Sequence, residues 1–186
     1  MSGDGAGSEY GTAVGTYQDG LAFVGRVGVP RFAEEPVEVS GGRGFAAAVH
    51  DGNPLWWDVE FAAAVAGGPV VPPATLVKWG TGRHWSPAVS TESDFPGASW
   101  RSFLVTVPLP TDSMINLRSE IEFFDYLRAG DVINVTEVVE SLSEEKQTGV
   151  GPGYFLTVVA WYRRANGDPI ALQRNVMLRF RTGEQQ

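Results

Sequence analysis

Asp51-Gly52-Asn53-Pro54-Leu55-Trp56-Trp57-Asp58 is the most informative stretch of this 186-residue chain, and it lies between two helical patterns. Upstream, Glu38 to His50 reads as a short helix after Pro36. Its apolar run is Phe45, Ala46, Ala47, Ala48 and Val49, and Gly41, Gly42 and Gly44 weaken its start. Downstream, Asp58 is a good N-cap, Phe61 and Val65 lie four apart on one face, and Gly67-Gly68 ends a helix over Asp58 to Val65. Pro72-Pro73 then opens a third segment, Ala74 to about His84, whose Leu76, Val77 and Trp79 mark it as the most buried helix.

The remainder reads as β structure. Leu117 to Phe124 and Val132 to Val139 are strand candidates joined through the turn-like Arg128-Ala129-Gly130-Asp131. Tyr154 to Arg164 is apolar on both faces, as in a strand covered on both sides. Ile170 to Phe180 alternates, with Ile170, Leu172, Val176, Leu178 and Phe180 on one face and Arg174 as the exception. Asn166-Gly167 between these two strands predicts a type I′ hairpin turn. Helices followed by an antiparallel meander make an α+β layout. Residues 1–20, rich in Gly and Ser, are expected to form a flexible tail, and residues 21–182 a single domain. Within it, about 86–111 is an ordered insertion carrying Phe95, Trp100 and Phe103.

Composition closes off several function classes. Fourteen Lys and Arg against 22 Asp and Glu give a net charge of −8, which disfavours nucleic acid as a partner. Cysteine is absent and His50 and His84 are the only histidines, so thiolate chemistry and a metal site are not expected. No apolar run approaches membrane-spanning length. Met1 to Gly25 lacks the basic residues of a secretory signal, which points to the cytoplasm. Phosphate-loop, nucleophile-elbow and dinucleotide-binding motifs are missing, and Gly149-Val150-Gly151-Pro152-Gly153 leads into a strand, which makes it a bulged turn.

The stretch from Asp51 resembles the MaoC-like hydratases and dehydratases of the hot-dog superfamily, whose motif runs Asp-x-Asn-Pro-x-His-x-Asp. Asp51, Asn53-Pro54 and Asp58 match, but Trp56 occupies the histidine position. Further likeness comes from Arg128-Ala129-Gly130-Asp131, from Asn166-Gly167-Asp168, and from Lys146 to Phe155. The last is similar to a segment of the N-terminal, or FAS1-like, dehydratase branch, and the resemblance runs from about Tyr17 to Phe180. It implies a hot-dog fold, an antiparallel sheet wrapped around a central helix. In that family the Asp and His act as an acid/base pair on a 2-enoyl or 3-hydroxyacyl thioester.

Indole nitrogen only donates, so Trp56 cannot serve as that base. His50 is not placed to replace it. Pro72-Pro73 stands where catalytic members open the buried helix with His-Gly, and proline has no N–H to offer a developing oxyanion. Members of this branch that lack the histidine pair with a catalytic hot-dog subunit and act on enoyl-CoA thioesters, some with bulky steroid side chains, or on long acyl-carrier-protein thioesters. The resemblance therefore implies a non-catalytic, acyl-binding subunit of a heteromeric enoyl-CoA hydratase or 3-hydroxyacyl-thioester dehydratase, as a heterodimer or heterotetramer. Coenzyme A or carrier protein would be part of the substrate rather than a cofactor. Asp51 is then a vestigial catalytic residue, and Asn53, Trp56, Trp57, Pro73 and Trp100 are substrate-binding candidates. The alternatives are a homodimer that uses Asp51 alone, or a non-enzymatic binding module. Arg163, Arg164, Arg174, Arg179 and Arg181 form a minor candidate site for coenzyme A phosphates.

Overall fold

The computed structural model describes residues 11–33, 35–80 and 102–182. An antiparallel sheet is built from β1 (Arg31–Phe32), β3 (Ser113–Phe123), β5 (Ile133–Leu142), β7 (Gly151–Arg164) and β8 (Pro169–Phe180), in the order β1-β5-β7-β8-β3. The short β6 (Lys146–Thr148) pairs with the start of β7. β2 (Val70–Val71) and β4 (Leu127–Arg128) form a separate small ladder.

The sheet is not the expected meander. The strands around Leu117 and Val132 are neighbours in sequence but not in space, since β3 pairs with β8 and β5 with β7. The 127–131 segment is taken up by β4 and by a turn in which Arg128 N–H donates to Asp131 at 2.9 Å. The 165–168 turn differs as well. Gly167 has φ 96° while Asn166 stays at negative φ, and Gly167 N–H donates to Arg164 O at 2.9 Å. This is a type I turn followed by a left-handed glycine, with the bulge falling at Tyr162/Arg163, rather than type I′.

Helices cover one face of the sheet: α1 (Tyr17–Leu21), α2 (Val39–Ala48), α3 (Pro54–Trp57), α4 (Val59–Ala66), α5 (Leu76–Gly80) and α6 (Phe103–Thr106). The third expected helix begins with a 3₁₀ turn, Pro73–Thr75, before α5; its remainder to His84, like Trp100, lies outside the described residues. Gly80 lets α5 lie flat on the sheet, because a Cβ there would stand 2.6 Å from the Tyr162 ring and 2.9 Å from Val135. Leu76 and Trp79 of α5 share a core with Val71, Leu127, Val135, Ala160, Tyr162 and Ala171. A second core joins Val107, Leu109, Val139, Leu156 and Val158 to Tyr17, Phe23, Phe103 and Leu104. Glu137 on β5 anchors α6 by accepting from Ser102 Oγ at 2.8 Å and from Phe103 N–H at 2.7 Å.

These cores fix which strand face looks inward. Tyr154, Leu156, Val158, Ala160 and Tyr162 are buried towards the helices, and the register sets them opposite Arg179, Met177, Asn175, Gln173 and Ala171. Leu172, Val176, Leu178 and Phe180 do share a face, but it is the one turned away from the helices, and Ile170, expected with them, is fully buried in the first core. Trp161 sits on that outer face too, stacked on Phe124 at 6.0 Å with Arg163 over its ring, rather than in the core with Trp79.

Residues 11–20 are not a tail. Thr12 is fully buried, Ala13 N–H donates to Val105 O at 2.8 Å, and Thr16 caps α1 in a reciprocal box with Asp19. In the described part of the proposed insertion, Val107 and Leu109 are fully buried core residues.

Candidate functional site

Three small residues allow α2 to pack closely: Gly42 against Val71 and Pro72, Gly41 against Trp79, and buried Ala46 beside Trp56. The helix ends in a Schellman closure, with His50 N–H donating to Ala47 O at 3.2 Å and Asp51 N–H to Ala46 O at 2.8 Å. That closure needs a left-handed residue, and His50 supplies it at φ 54°, the only non-glycine with positive φ among the described residues. His50 is exposed and its role is to turn the chain so that Asp51 faces the next helix. Left-handed backbone costs an L-residue about 1–2 kcal/mol, partly offset by the extra unfolded-state freedom of glycine. His50→Gly is therefore expected to raise stability by about 0.5–1 kcal/mol in urea unfolding; a decrease would mean that the imidazole makes a stabilising contact.

Asp51 is enclosed by donors. Its Oδ1 accepts from Asn53 N–H at 3.0 Å, its Oδ2 from the Trp56 indole at 2.8 Å, and its backbone carbonyl from the Trp57 indole at 2.7 Å. Asn53 is the N-cap of α3, accepting from Leu55 N–H at 3.1 Å with Pro54 in the first turn. Asp58 ends α3 and caps α4 by accepting from Glu60 and Phe61 N–H. Trp56 is 7% exposed and packs with Ala46, Ala66 and Val70, and its carbonyl accepts from Arg43 Nε at 2.9 Å. Trp57, in contrast, is 42% exposed.

The start of the central helix is equally committed to structure. Pro72 is buried, and its carbonyl accepts both Thr75 N–H at 3.0 Å and Thr75 Oγ1 at 2.7 Å. Thr75 Oγ1 in turn accepts from the Trp79 indole at 3.1 Å. Pro73 and Ala74 are exposed.

The structure thus brings Asp51, Asn53, Trp56 and Trp57 into one hydrogen-bonded unit. An imidazole at position 56 could exchange a proton with the Asp51 carboxylate, whereas the indole can only donate to it. The candidate phosphate site dissolves: Arg164 pairs with Asp125 and Asp131, Arg174 with Glu140, and Arg181 with Glu145. Arg163 lies over Trp161, and Arg179 is fully buried. No group of three or more potential metal ligands occurs among the described residues, and no helix there is long and apolar enough to cross a membrane.

Arg179, grouped in the sequence with the candidate phosphate ligands, is instead a buried structural residue. Its guanidinium donates to the carbonyls of Leu104 (3.1 Å), Val107 (3.3 Å) and Ala13 (3.2 Å), and burial lowers its pKa to about 10. The signal available in the sequence was the weak one of Ala171 and Met177 on the same face as Arg179.

Comparison with known proteins agrees with this architecture. A family profile described as FAS1-like, dehydratase domain region, matches residues 22–173. A probable enoyl-CoA hydratase alpha subunit from Thermomonospora curvata is 38% identical over 161 residues, covering 86% of this chain and 50% of that protein. The chain thus spans about half the length of the curated relative it matches. The ChsH1-ChsH2 complex from Mycobacterium tuberculosis contains a chain of the same fold, with a TM-score of 0.68 at 21% identity over 89% of this chain and 96% of that one. The MaoC-like dehydratase from Rhodospirillum rubrum gives 0.55 at 19% identity over 85% and 94%. The wrapped sheet, the central helix and the matched profile lead to one conclusion: the chain belongs to the FAS1-like dehydratase domain family and shares the hot-dog fold of the MaoC-like dehydratases.

Proposed function

We propose that this chain is the non-catalytic, acyl-binding subunit of a heteromeric (R)-specific enoyl-CoA hydratase or 3-hydroxyacyl-thioester dehydratase, whose catalytic Asp/His pair comes from a second hot-dog subunit. The observation that carries the reading is the 2.8 Å bond from the Trp56 indole to Asp51, a donor-only partner where proton exchange is needed. The prolines at 72 and 73 add to it by removing two N–H groups from the start of the central helix. Asp51 acting alone is disfavoured, because each of its carboxylate oxygens already accepts a hydrogen bond.

A partner is supported by an edge of the sheet that pairs with no further strand among the described residues. β3 is 11 residues long, ends the strand order, and leaves Ile115, Leu117, Ile121 and Phe123 at 37–48% exposure. A long apolar edge of this kind invites pairing with another strand. The curated relative is named as an alpha subunit, and the M. tuberculosis neighbour is a complex. In this reading Trp57 and Pro73, both exposed, contact the acyl group, while Asn53 and Trp56 hold the segment that presents Trp57.

The test is an enoyl-CoA hydration assay on the purified chain and on the chain co-purified with a hot-dog subunit bearing Asp-x-Asn-Pro-x-His. Turnover is expected only from the complex. Robust hydration by the chain alone would refute the proposal.

A further inference from the structure

The face of the sheet turned towards the helices carries a polar ladder that the Asp51 half-site does not use. By register, Glu137, Ala160, Gln173 and Ile121 form one row across the strands, and Val139, Val158, Asn175 and Ser119 the next. Val139, Val158 and Ala160 are buried in the cores beneath the helices. Toward β8 and β3 the apolar packing gives way to hydrogen bonds. Tyr162 Oη donates to Gln173 Oε1 at 2.8 Å, Gln173 Nε2 to Ser119 Oγ at 3.0 Å and to Asn175 Oδ1 at 3.3 Å, and Ser119 Oγ to Asn175 Oδ1 at 2.8 Å.

Asn175 Oδ1 therefore accepts twice, which fixes the carboxamide and turns its Nδ2 protons away from the ladder. Those protons meet no acceptor among the described residues. On the same face Ile121 and Phe123 of β3 are exposed at 37% and 40%. One oriented donor beside an apolar wall is the usual composition of a small-molecule site, where a few polar groups set orientation.

We propose that Gln173, Asn175 and Ser119 form a specificity site for an acyl chain bearing a carbonyl or hydroxyl oxygen remote from its thioester. Asn175 Nδ2 donates to that oxygen, and Ile121 and Phe123 supply the apolar wall. The assignment rests on the acyl-binding role above, and it places the acyl group next to β3, the edge that faces the partner.

The test is a binding comparison on the purified chain, with tryptophan fluorescence for affinity and the Asn175 side-chain amide resonances for location. The probes are a medium-chain 2-enoyl-CoA and the same chain with a keto group at its far end. The keto ligand is expected to bind about tenfold more tightly, the ratio one well-placed hydrogen bond supplies, and to shift the Asn175 resonances. Asn175→Leu is expected to bring the ratio to about one while leaving the plain chain within about twofold. Asn175→Asp keeps the shape but replaces the donor by an acceptor, and is expected to take the ratio below one. Equal affinities in the wild type, no binding of either probe, or a preference that survives both variants would overturn the site. Hydration by the partnered complex is a separate readout: its failure removes the hydratase reading, while the binding ratio still decides on the ladder.

Discussion

Arg179→Met is expected to lower folding stability by about 2–4 kcal/mol and the melting temperature by roughly 5–15 °C. Arg179 is fully buried, pairs with no carboxylate among the described residues, and ties three separate segments to β8 through the carbonyls of Ala13, Leu104 and Val107. Two effects oppose one another. Removing the buried charge relieves the desolvation that lowers its pKa to about 10, a gain on the order of 3 kcal/mol. Against that stand three hydrogen bonds from a charged donor, each worth about 1.5–3 kcal/mol, and carbonyls left unpaired in an apolar core. The second set is larger, so the net effect is destabilising. Urea unfolding of the variant checks it; wild-type stability would mean that those carbonyls find other donors.

Trp56→His in the chain alone is expected to lose about 2–4 kcal/mol and to gain no hydratase activity. The loss follows from size, because imidazole fills only part of the space the indole occupies among Ala46, Ala66 and Val70. The absence of activity follows from the central helix, where Pro72 and Pro73 still offer no N–H to a thioester oxyanion. Thermal unfolding and an enoyl-CoA assay on the same preparation check both parts. Turnover by this single variant would show that the rest of the half-site is intact.

Much of the fold could be read from the sequence because local signals were strong. Asp58 as N-cap with Gly67 as left-handed stop defines α4, and it folds as read. The short α3, which Asn53-Pro54 starts inside the stretch read as a connection between two helices, was not anticipated. What else could not be read was non-local. Nothing in Leu117 to Phe123 says that its partner is β8 and not the next strand, since pairing across the sheet depends on where the helices pack. β8 misleads for a related reason: both of its faces must be occupied, so the apolar set Leu172, Val176, Leu178 and Phe180 lies on the side turned away from the helices. Gln173, Asn175 and Arg179 turn inward, where hydrogen bonds to Ser119, Tyr162 and three carbonyls make their burial tolerable. At the candidate site the residue types were legible and the geometry was not. Trp56 stood out as a departure, but only the structure shows both tandem indoles closing on Asp51, one on the carboxylate and one on the backbone.

The most direct test is Asp51→Asn in this chain, assayed in a complex with the proposed catalytic partner. Asparagine keeps the shape but can hold only one of the two donors now on the carboxylate, a loss of about 1 kcal/mol in stability. Turnover is expected to stay within about twofold of wild type, whereas the same change in the partner's motif should remove on the order of 10²–10⁴ of the rate. A hundredfold or greater loss of turnover from Asp51→Asn in a folded, assembled complex would make Asp51 a catalytic group and contradict the account.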